Sequence, residues 1–246
     1  MGVGVQFVST DSGSAQVTVV AVGPGDSRLL TLRGREVLEA ADVVAGFKTV
    51  LDVVAPWLGH AELCTLTYRD QEEVLEYAVG EARKGRSFVL CCWGDLNVSA
   101  RELLARVRKR AEIVELVPGI SSVQVACARS GISLEDSLFI TLHKRQEIGD
   151  DLDELIHYLK EDRRHLILFP KPWDLMPPGI ASQLIELGIP EQRTLLVYQR
   201  LTLDGEKKWE GTLRQCAESN EEFSDLTIMV FPKGDSEIGA GSGPRA

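Results

Sequence analysis

The alternation of short apolar runs with helical patterns is the feature that most constrains the fold of this chain. Runs rich in Val, Ile and Leu lie at 17–22, 42–45, 62–66, 87–92 and 112–117. Helical patterns separate them at 29–40, 47–58, 71–84 and 99–110. Strands that alternate with helices run parallel, because each helix returns the chain to the edge where the previous strand began. The pattern therefore predicts an α/β fold with a largely parallel sheet and helices on both faces.

A second series of strands and helices indicates a second domain. The predicted strands lie at 137–142, 165–169, 194–199, 207–210 and 226–231. The predicted helices lie at 151–161, 178–187 and 212–218. A boundary between Ser130 and Asp150 separates the two series and gives an N-terminal α/β domain at 17–135 and a C-terminal α/β domain at 136–233. The Gly- and Ser-rich ends at 1–16 and 234–246 are predicted to be flexible.

The acidic composition limits the partners that the chain is expected to have. A net charge of −10 disfavours the basic surface that nucleic acid or an anionic membrane requires. No apolar run approaches the roughly 20 residues of a membrane helix, and the start lacks the pattern of a secretory signal. We therefore expect a cytoplasmic protein with no nucleic-acid or membrane partner. The five cysteines lack C-x-x-C spacing, which favours buried thiols and predicts no metal site.

The loop after the first strand reads Gly23-Pro24-Gly25-Asp26 and is a candidate ligand loop. It lacks the third glycine of a dinucleotide fingerprint, and the chain contains no Gly-Lys-Ser/Thr phosphate loop. Pro24 also removes one main-chain N–H that a phosphate could use. The loop therefore favours a ligand without a pyrophosphate. The alternative is a plain turn in which Asp26 or Ser27 caps the next helix.

Two further strand ends carry glycine or hydroxyl groups before a helix. The stretch "CCWGDLNVS" places Gly94 and Asp95 after a strand, and "ELVPGISSVQVA" places Gly119, Ser121 and Ser122 in a similar junction. Because the carboxyl ends of parallel strands meet at one edge of a sheet, these junctions are expected to converge with the first loop. The sequence therefore predicts one small-molecule pocket shared by three strand ends.

In order and separation, the three junctions resemble the tetrapyrrole methylase family of S-adenosylmethionine (SAM) methyltransferases. That family has Gly-x-Gly-Pro-Gly-Asp in the first loop, Gly-Asp-Pro in the second, and Pro-Gly-Ile with small hydroxyl residues in the third. The stretches "LILFPKPWDLMPPGIASQL" and "RLTLDGEKKWEGTL" resemble the subgroup that methylates carbon 5 of cobalt-precorrin-7 in cobalamin biosynthesis. The likeness runs from about Val17 to Phe231. It departs at Ala21 and Leu96, where the family has Gly and Pro.

The resemblance implies a two-domain tetrapyrrole methylase fold with a mostly parallel N-terminal sheet and a mixed C-terminal sheet. It also implies a SAM cleft between the domains, a homodimer, and a separate enzyme that methylates carbon 15 with decarboxylation as a pathway partner. Carried over residue by residue, the SAM contacts are Gly23, Pro24, Trp93, Gly94, Asp95, Val98, Ser121, Ser122, Leu142, Pro170 and Gln199.

Cations are needed near the substrate because cobalt-precorrins carry acetate and propionate side chains. The candidates are His143, Lys144, Arg145 and Lys171, which follow predicted strands. The alternative for Lys144 and Arg145 is an ordinary solvated loop, and for His143 it is a strand-end residue that is hydrogen-bonded to the backbone. Trp173 either covers the tetrapyrrole face or packs on the following helix. No catalytic residue is predicted, because in-line methyl transfer mainly requires that donor and acceptor be aligned and water be excluded.

Other functions remain open at this stage. One alternative is that the chain is a different methylase of the same fold, which acts on another corrinoid carbon, on uroporphyrinogen III or on the diphthamide precursor of a protein. A non-catalytic SAM-binding module is the alternative from outside enzymology, and the departures at Ala21 and Leu96 are compatible with it.

Overall fold

The computed structural model describes residues 14–144 and 146–234, which form two compact units. The first unit contains the described residues 14–22 and 27–119. The second contains 23–26 and the described residues from 120 onwards. Of the predicted N-terminal extension, only 14–16 are described, and there Ala15 is buried and Gln16 begins a strand. The remaining residues of both predicted extensions lie outside the described part of the chain, apart from Gly234.

The first unit is built on a five-stranded sheet in which every pairing is parallel. Its strands are β1 (Gln16–Ala21), β2 (Val43–Phe47), β3 (Glu62–Leu66), β4 (Phe88–Cys92) and β5 (Glu112–Val117). The strand order is β3-β2-β4-β1-β5. Each strand lies within two residues of its predicted bounds, because Val, Ile and Leu runs favour a sheet buried on both faces.

Helices cover both faces of this sheet. They are α1 (Leu32–Glu39), α2 (Lys48–Val54), α3 (Gln71–Arg83), α4 (Leu96–Ser99) and α5 (Arg101–Arg108). Val19 and Leu90 point into a core that also contains residues of α3 and α5. Their strand neighbours Val20 and Val89 point into a second core with residues of α1 and α2. The period-two alternation of side chains explains why adjacent valines enter different cores.

The second unit contains a mixed five-stranded sheet in the order β6-β7-β10-β8-β9. Its strands are β6 (Ser137–Thr141), β7 (His165–Phe169), β8 (Thr194–Gln199), β9 (Lys207–Thr212) and β10 (Thr227–Phe231). Its helices are α6 (Ser122–Ser130), α7 (Gly149–Glu161), α8 (Pro177–Glu186) and α9 (Leu213–Ala217). β6 and β7 are parallel, whereas the other pairings are antiparallel. A parallel first sheet and a mixed second sheet agree with the predicted fold class.

The chain passes from the first unit to the second between Gly119 and Ile120, whereas the sequence placed the domain boundary after residue 135. The difference is the helix α6, which packs against β10 of the second unit. The hydroxyl groups of Ser130 and Tyr198 share a buried hydrogen bond of 3.0 Å that attaches the end of this helix to β8. Within the described chain, no helix is long and apolar enough to cross a membrane.

Candidate functional site

The strands β4, β1 and β5 are parallel neighbours, and their carboxyl ends lie at the edge of the first sheet where the sequence predicts a ligand site. Ala21 of β1 pairs in register with Cys92 of β4, and Val20 pairs with Val117 of β5. The chain therefore leaves β1, β4 and β5 side by side. We call this the carboxyl edge of the first sheet. The predicted convergence of the three junctions follows directly from this parallel pairing.

Asp95 connects two of these junctions. Its Oδ1 accepts a hydrogen bond of 2.9 Å from the main-chain N–H of Asn97 and so caps α4. Its Oδ2 accepts a hydrogen bond of 3.1 Å from the main-chain N–H of Gly119, which follows β5. Both carboxylate oxygens therefore bind protein donors. Asp95 is one of the predicted SAM contacts, and in the structure its side chain holds these two loops together.

Gly119 lies so close to its neighbours that no larger residue fits. A Cβ added there would lie 2.6 Å from the carbonyl oxygen of Gly94 and 2.7 Å from the Cβ of Ala21. Both distances are shorter than real Cβ contacts. From the sequence, Gly119 belongs to its junction but is not among the predicted site residues. The glycine itself was the signal, because glycine permits close approach of two main chains.

Gly94 offers open main chain at the same edge. Its φ is +63°, and a Cβ built on it would meet nothing within 4 Å. The adjacent Trp93 is partly buried against the core that contains Val20. The main-chain N–H of Val98 donates a hydrogen bond of 3.1 Å to the carbonyl of Asp95. Open space therefore lies beside the main chain of Gly94 at the carboxyl edge of the first sheet.

Leu96 stands where the resembled family has Pro, and the structure shows what it does there. It is the first residue of α4, and its side chain is 5% exposed in the core that contains Leu104. The first helical position also suits Pro, because the N–H at that position has no partner within the helix. The replacement thus adds a core side chain while Asp95 keeps the helix start in place.

The segment Gly23–Asp26 makes long-range contacts within the second unit. The main-chain N–H of Asp26 donates a hydrogen bond of 3.0 Å to Oγ1 of Thr202 in the loop after β8. A Cβ on Gly25 would lie 2.6 Å from the side chain of Leu203. The φ values of Gly23 and Gly25, +84° and +149°, also favour glycine. The segment is therefore attached to a distant loop, which a local turn would not require.

The two predicted serines begin α6. Ser121 is the N-cap, since its hydroxyl accepts a hydrogen bond of 3.3 Å from the main-chain N–H of Gln124. The side chain of Gln124 accepts one of 2.7 Å from the N–H of Ser121, which completes a capping box. Ser122 is the first helical residue. The Ser121 hydroxyl also carries a hydrogen that it can donate.

The other predicted SAM residues lie at the ends of strands of the second sheet that run in the same direction, namely β6, β7 and β8. Leu142 is fully buried, and its main-chain N–H and carbonyl each make a hydrogen bond of 2.8 Å, with Phe169 and Lys144 respectively. Pro170 follows β7 and is also buried. The side-chain amide of Gln199 donates a hydrogen bond of 3.0 Å to Glu221 and accepts one of 2.9 Å from the N–H of Ser224. Gln199 therefore also stabilises the segment before β10.

The described lysines among the predicted substrate residues lie at this second edge, and each is paired with an acid. Lys144 forms an ion pair with Asp151. The Nζ of Lys171 lies 2.9 Å from Oδ2 of Asp174. His143 is exposed, and its main-chain N–H donates a hydrogen bond of 3.1 Å to Oγ1 of Thr141. Arg145 lies outside the described residues.

The loop Lys171–Leu175 has an unusual backbone. Lys171 and Leu175 exchange main-chain hydrogen bonds of 3.2 and 2.9 Å, and the N–H of Asp174 donates one of 3.2 Å to the carbonyl of Lys171. Pro172 and Trp173 therefore occupy the central positions of a turn. Trp173 has φ +60° and is 73% exposed. This left-handed conformation costs a residue other than glycine roughly 1–2 kcal/mol.

The cysteines are unsuited to nucleophilic or redox chemistry. All five are free and buried, as the sequence predicted. Burial raises the pKa of Cys64 to about 11, and the pKa values of Cys92 and Cys216 to about 12. At neutral pH these side chains are therefore neutral thiols. Across the described residues, no group of three or more His, Cys, Asp or Glu side chains is placed to hold a metal ion.

Comparison with known proteins gives a consistent picture. Residues 16–217 match the profile described as Tetrapyrrole (Corrin/Porphyrin) Methylases. A probable cobalt-precorrin-7 C(5)-methyltransferase from Methanocaldococcus jannaschii is 32% identical over 223 residues, which cover 90% of this chain and 100% of that protein. The resemblance stated from the sequence is therefore confirmed.

Two solved structures share the fold. The precorrin-6Y methylase of Archaeoglobus fulgidus aligns with a TM-score of 0.64 and 24% identity, covering 90% of this chain and 99% of that one. The uroporphyrin-III C-methyltransferase of Thermus thermophilus, complexed with S-adenyl homocysteine, aligns with a TM-score of 0.66 and 21% identity. That alignment covers 88% of this chain and 92% of the other. These structures confirm the predicted fold.

Proposed function

This chain belongs to the tetrapyrrole (corrin/porphyrin) methylase family, and on that premise we propose that it transfers a methyl group from SAM to carbon 5 of cobalt-precorrin-7. The choice of substrate is supported by the Methanocaldococcus jannaschii relative, which matches over its whole length. The observation that carries the proposal is the open main chain at Gly94, at the edge where three parallel strands end.

The residues at this edge fit SAM better than a nucleotide with a pyrophosphate. Gly94 leaves space beside the backbone, and Asp95 with Gly119 holds the neighbouring loops in place. Pro24 has no N–H to offer a phosphate, and SAM carries no phosphate. The proposed cofactor contacts are the predicted set, with Asp95 acting through the loop that it positions.

The chemistry requires little from the side chains. When bound, SAM supplies a methyl group on a sulfonium, so the sulfur leaves as a neutral thioether while a carbon–carbon bond forms. The protein has to orient donor and acceptor in line and to exclude water. Lys144 and Lys171 would bind substrate carboxylates in exchange for their present partners Asp151 and Asp174. His143 and Arg145 remain proposed substrate residues.

The finer assignments of assembly and location are also proposals. A homodimer is supported by family membership and by Val114 and Leu116, which are 44% and 43% exposed on the edge strand β5. A cytoplasmic location and a separate carbon-15 methylating and decarboxylating enzyme agree with a role in cobalamin biosynthesis.

Calorimetric binding of SAM and S-adenosylhomocysteine tests the cofactor first, with Gly94→Asn as the site variant. Gly85→Asn is the matched control, because the two glycines have positive φ values, +63° and +88° respectively, and a Cβ added to either would meet nothing within 4 Å. Asn tolerates this conformation better than most residues. We expect Gly94→Asn to lose SAM binding and Gly85→Asn to keep it.

Incubation with SAM and cobalt-precorrin-7 then tests the substrate by mass spectrometry. A mass gain of one methyl group supports the proposal. SAM binding without that gain would exclude this substrate and favour another tetrapyrrole or a non-catalytic module. Absence of SAM binding by the wild-type protein would contradict the methyltransferase assignment itself.

A further inference from the structure

We propose that the loop Lys171–Leu175 recognises the tetrapyrrole, with the indole of Trp173 covering one face of the macrocycle. The inference rests on the proposed function, because it assumes a flat polycarboxylate substrate. It adds a specificity-determining side chain that the SAM contacts do not provide. The loop lies directly after β7, beside the end of the parallel strand β6.

The backbone of the loop supports a role for the ring. Pro172 and Trp173 form the centre of a turn whose second position has positive φ, and glycine or asparagine fits that position without strain. Trp173 occupies it and is nevertheless 73% exposed. A turn alone would be served better by a small residue. The loop instead keeps a large aromatic side chain at its tip, at a cost in backbone conformation.

The hydrogen bonds of the loop keep this tip in place before any ligand arrives. Lys171 and Leu175 are joined in both directions, and Asp174 is bonded to the carbonyl of Lys171. Leu175 also packs against the core that contains Ile180 and Leu184 of α8. The indole is thus carried by a short closed loop, which lowers the ordering cost of binding.

The chemistry of the loop fits a flat ring with acidic side chains. An indole presents a wide apolar face, and stacking on it tolerates many planar ligands. Beside it, Lys171 is bound to Asp174 at 2.9 Å and is only partly exposed. A carboxylate of the macrocycle would replace Asp174 on this lysine while the indole covers the ring. Asp174 therefore competes with the substrate.

Titration with cobyrinic acid, a stable corrinoid polycarboxylate, tests this arrangement in protein saturated with S-adenosylhomocysteine. We expect Trp173→Gly and Trp173→Asn to bind it on the order of tenfold more weakly than the wild type. Trp173→Phe, which keeps an aromatic face, should recover most of the affinity. Asp174→Asn should bind cobyrinic acid severalfold more tightly, because it removes the competing carboxylate from Lys171.

Two further measurements separate recognition from folding and from the cofactor site. Trp173→Gly should retain S-adenosylhomocysteine binding and unfold at a urea concentration close to that of the wild type, since relief of the positive φ offsets the greater freedom of glycine in the unfolded chain. Corrinoid affinity unchanged in both Trp173→Gly and Trp173→Asn would overturn the inference, as would a Phe variant no better than Gly. If the wild type binds the cofactor but not cobyrinic acid, recognition by this loop is likewise wrong. Failure to bind the cofactor would instead contradict the proposed function.

Discussion

The two ends of β4 use polar groups in opposite ways. Before the strand, Nη1 of Arg86 lies 2.6 Å from a carboxylate oxygen of Glu62 and 2.7 Å from one of Glu81. After the strand, the main chain of Gly94 is open, and the hydrogen bond from the Gly119 N–H to Asp95 joins two loops. We call this hydrogen bond the loop clamp. Charged groups at the first end neutralise one another, whereas the second end leaves backbone accessible. In a parallel sheet, stability and ligand binding can therefore be assigned to opposite edges.

Gly119→Ala should cause the largest effect at the carboxyl edge. The added Cβ would collide with main-chain and Cβ atoms of Gly94 and Ala21, so the loops must move apart. We expect a loss of about 2–3 kcal/mol in the free energy of unfolding, measured in urea, together with weaker SAM binding. Gly80→Ala in α3 is the control, because a Cβ added there would meet nothing within 4 Å and Ala favours a helix. Equal stability of the two variants would contradict the close packing at Gly119.

Asp95→Asn separates the clamp from the helix cap. Asn can still cap α4 through its side-chain oxygen, but its NH₂ group cannot accept the N–H of Gly119. We expect a loss of about 1 kcal/mol in stability and weaker SAM binding measured by calorimetry. Asp95→Ser, which also caps helices, serves as a comparison. If Asp95→Asn binds SAM like the wild type, the clamp does not shape the site.

Arg86→Met should affect only the opposite end of β4. The substitution removes the ion pairs to Glu62 and Glu81 and the hydrogen bond of 3.0 Å to the carbonyl of Asp42, while keeping an apolar stem. We expect a small drop in the urea midpoint, smaller still at high salt because partly exposed pairs are screened. SAM affinity should stay the same. A loss of SAM binding in a folded Arg86→Met protein would show that the two edges are coupled.

Acid titration tests the charged groups before β4, and the expected shift in the pH of unfolding is the smallest of these effects. The main-chain N–H of Ser87 lowers the pKa of Asp42, and the hydroxyl of Tyr77, followed by Arg86, lowers the pKa of Glu62. A lowered folded-state pKa stabilises the protein above the unfolded value of about 4, and this stabilisation is lost as pH falls through the folded value. During acid titration the Arg86→Met protein should therefore unfold at a slightly higher pH than the wild type. Circular dichroism measures this unfolding. An unchanged acid midpoint would show that Arg86 contributes nothing there.

The strands were predictable because their signal is local. The runs at 62–66 and 112–117 coincide with β3 and β5, since short stretches of apolar and β-branched residues mark these segments without reference to the rest of the chain. One helix predicted at 99–110 is instead two, α4 and α5, and the first begins at Leu96. Asp95 is a good N-cap residue and signalled that start. Its assignment to a ligand left this helix start unpredicted.

The site was predictable only as far as parallel topology determines it. Convergence of the three strand ends follows from strand order, but the hydrogen bond from Gly119 to Asp95 joins residues 24 positions apart and depends on tertiary packing. The same holds for the placement of α6 in the second unit. By contrast, the pairing of Lys171 with Asp174 spans three residues and was readable in "KPWD".

The segment Gly23–Asp26 has a consequence for how this protein is made. A ribosome that has released residues up to Val117 has supplied every strand of the parallel sheet. The contacts of Gly25 and Asp26 with Leu203 and Thr202 must wait for chain synthesised much later, because the hydrogen bond to Thr202 joins positions 176 apart. The segment Gly23–Asp26 is therefore synthesised before most of the chain but forms its final contacts late in folding. A gene cut between the two units would leave this loop without the surface to which it attaches.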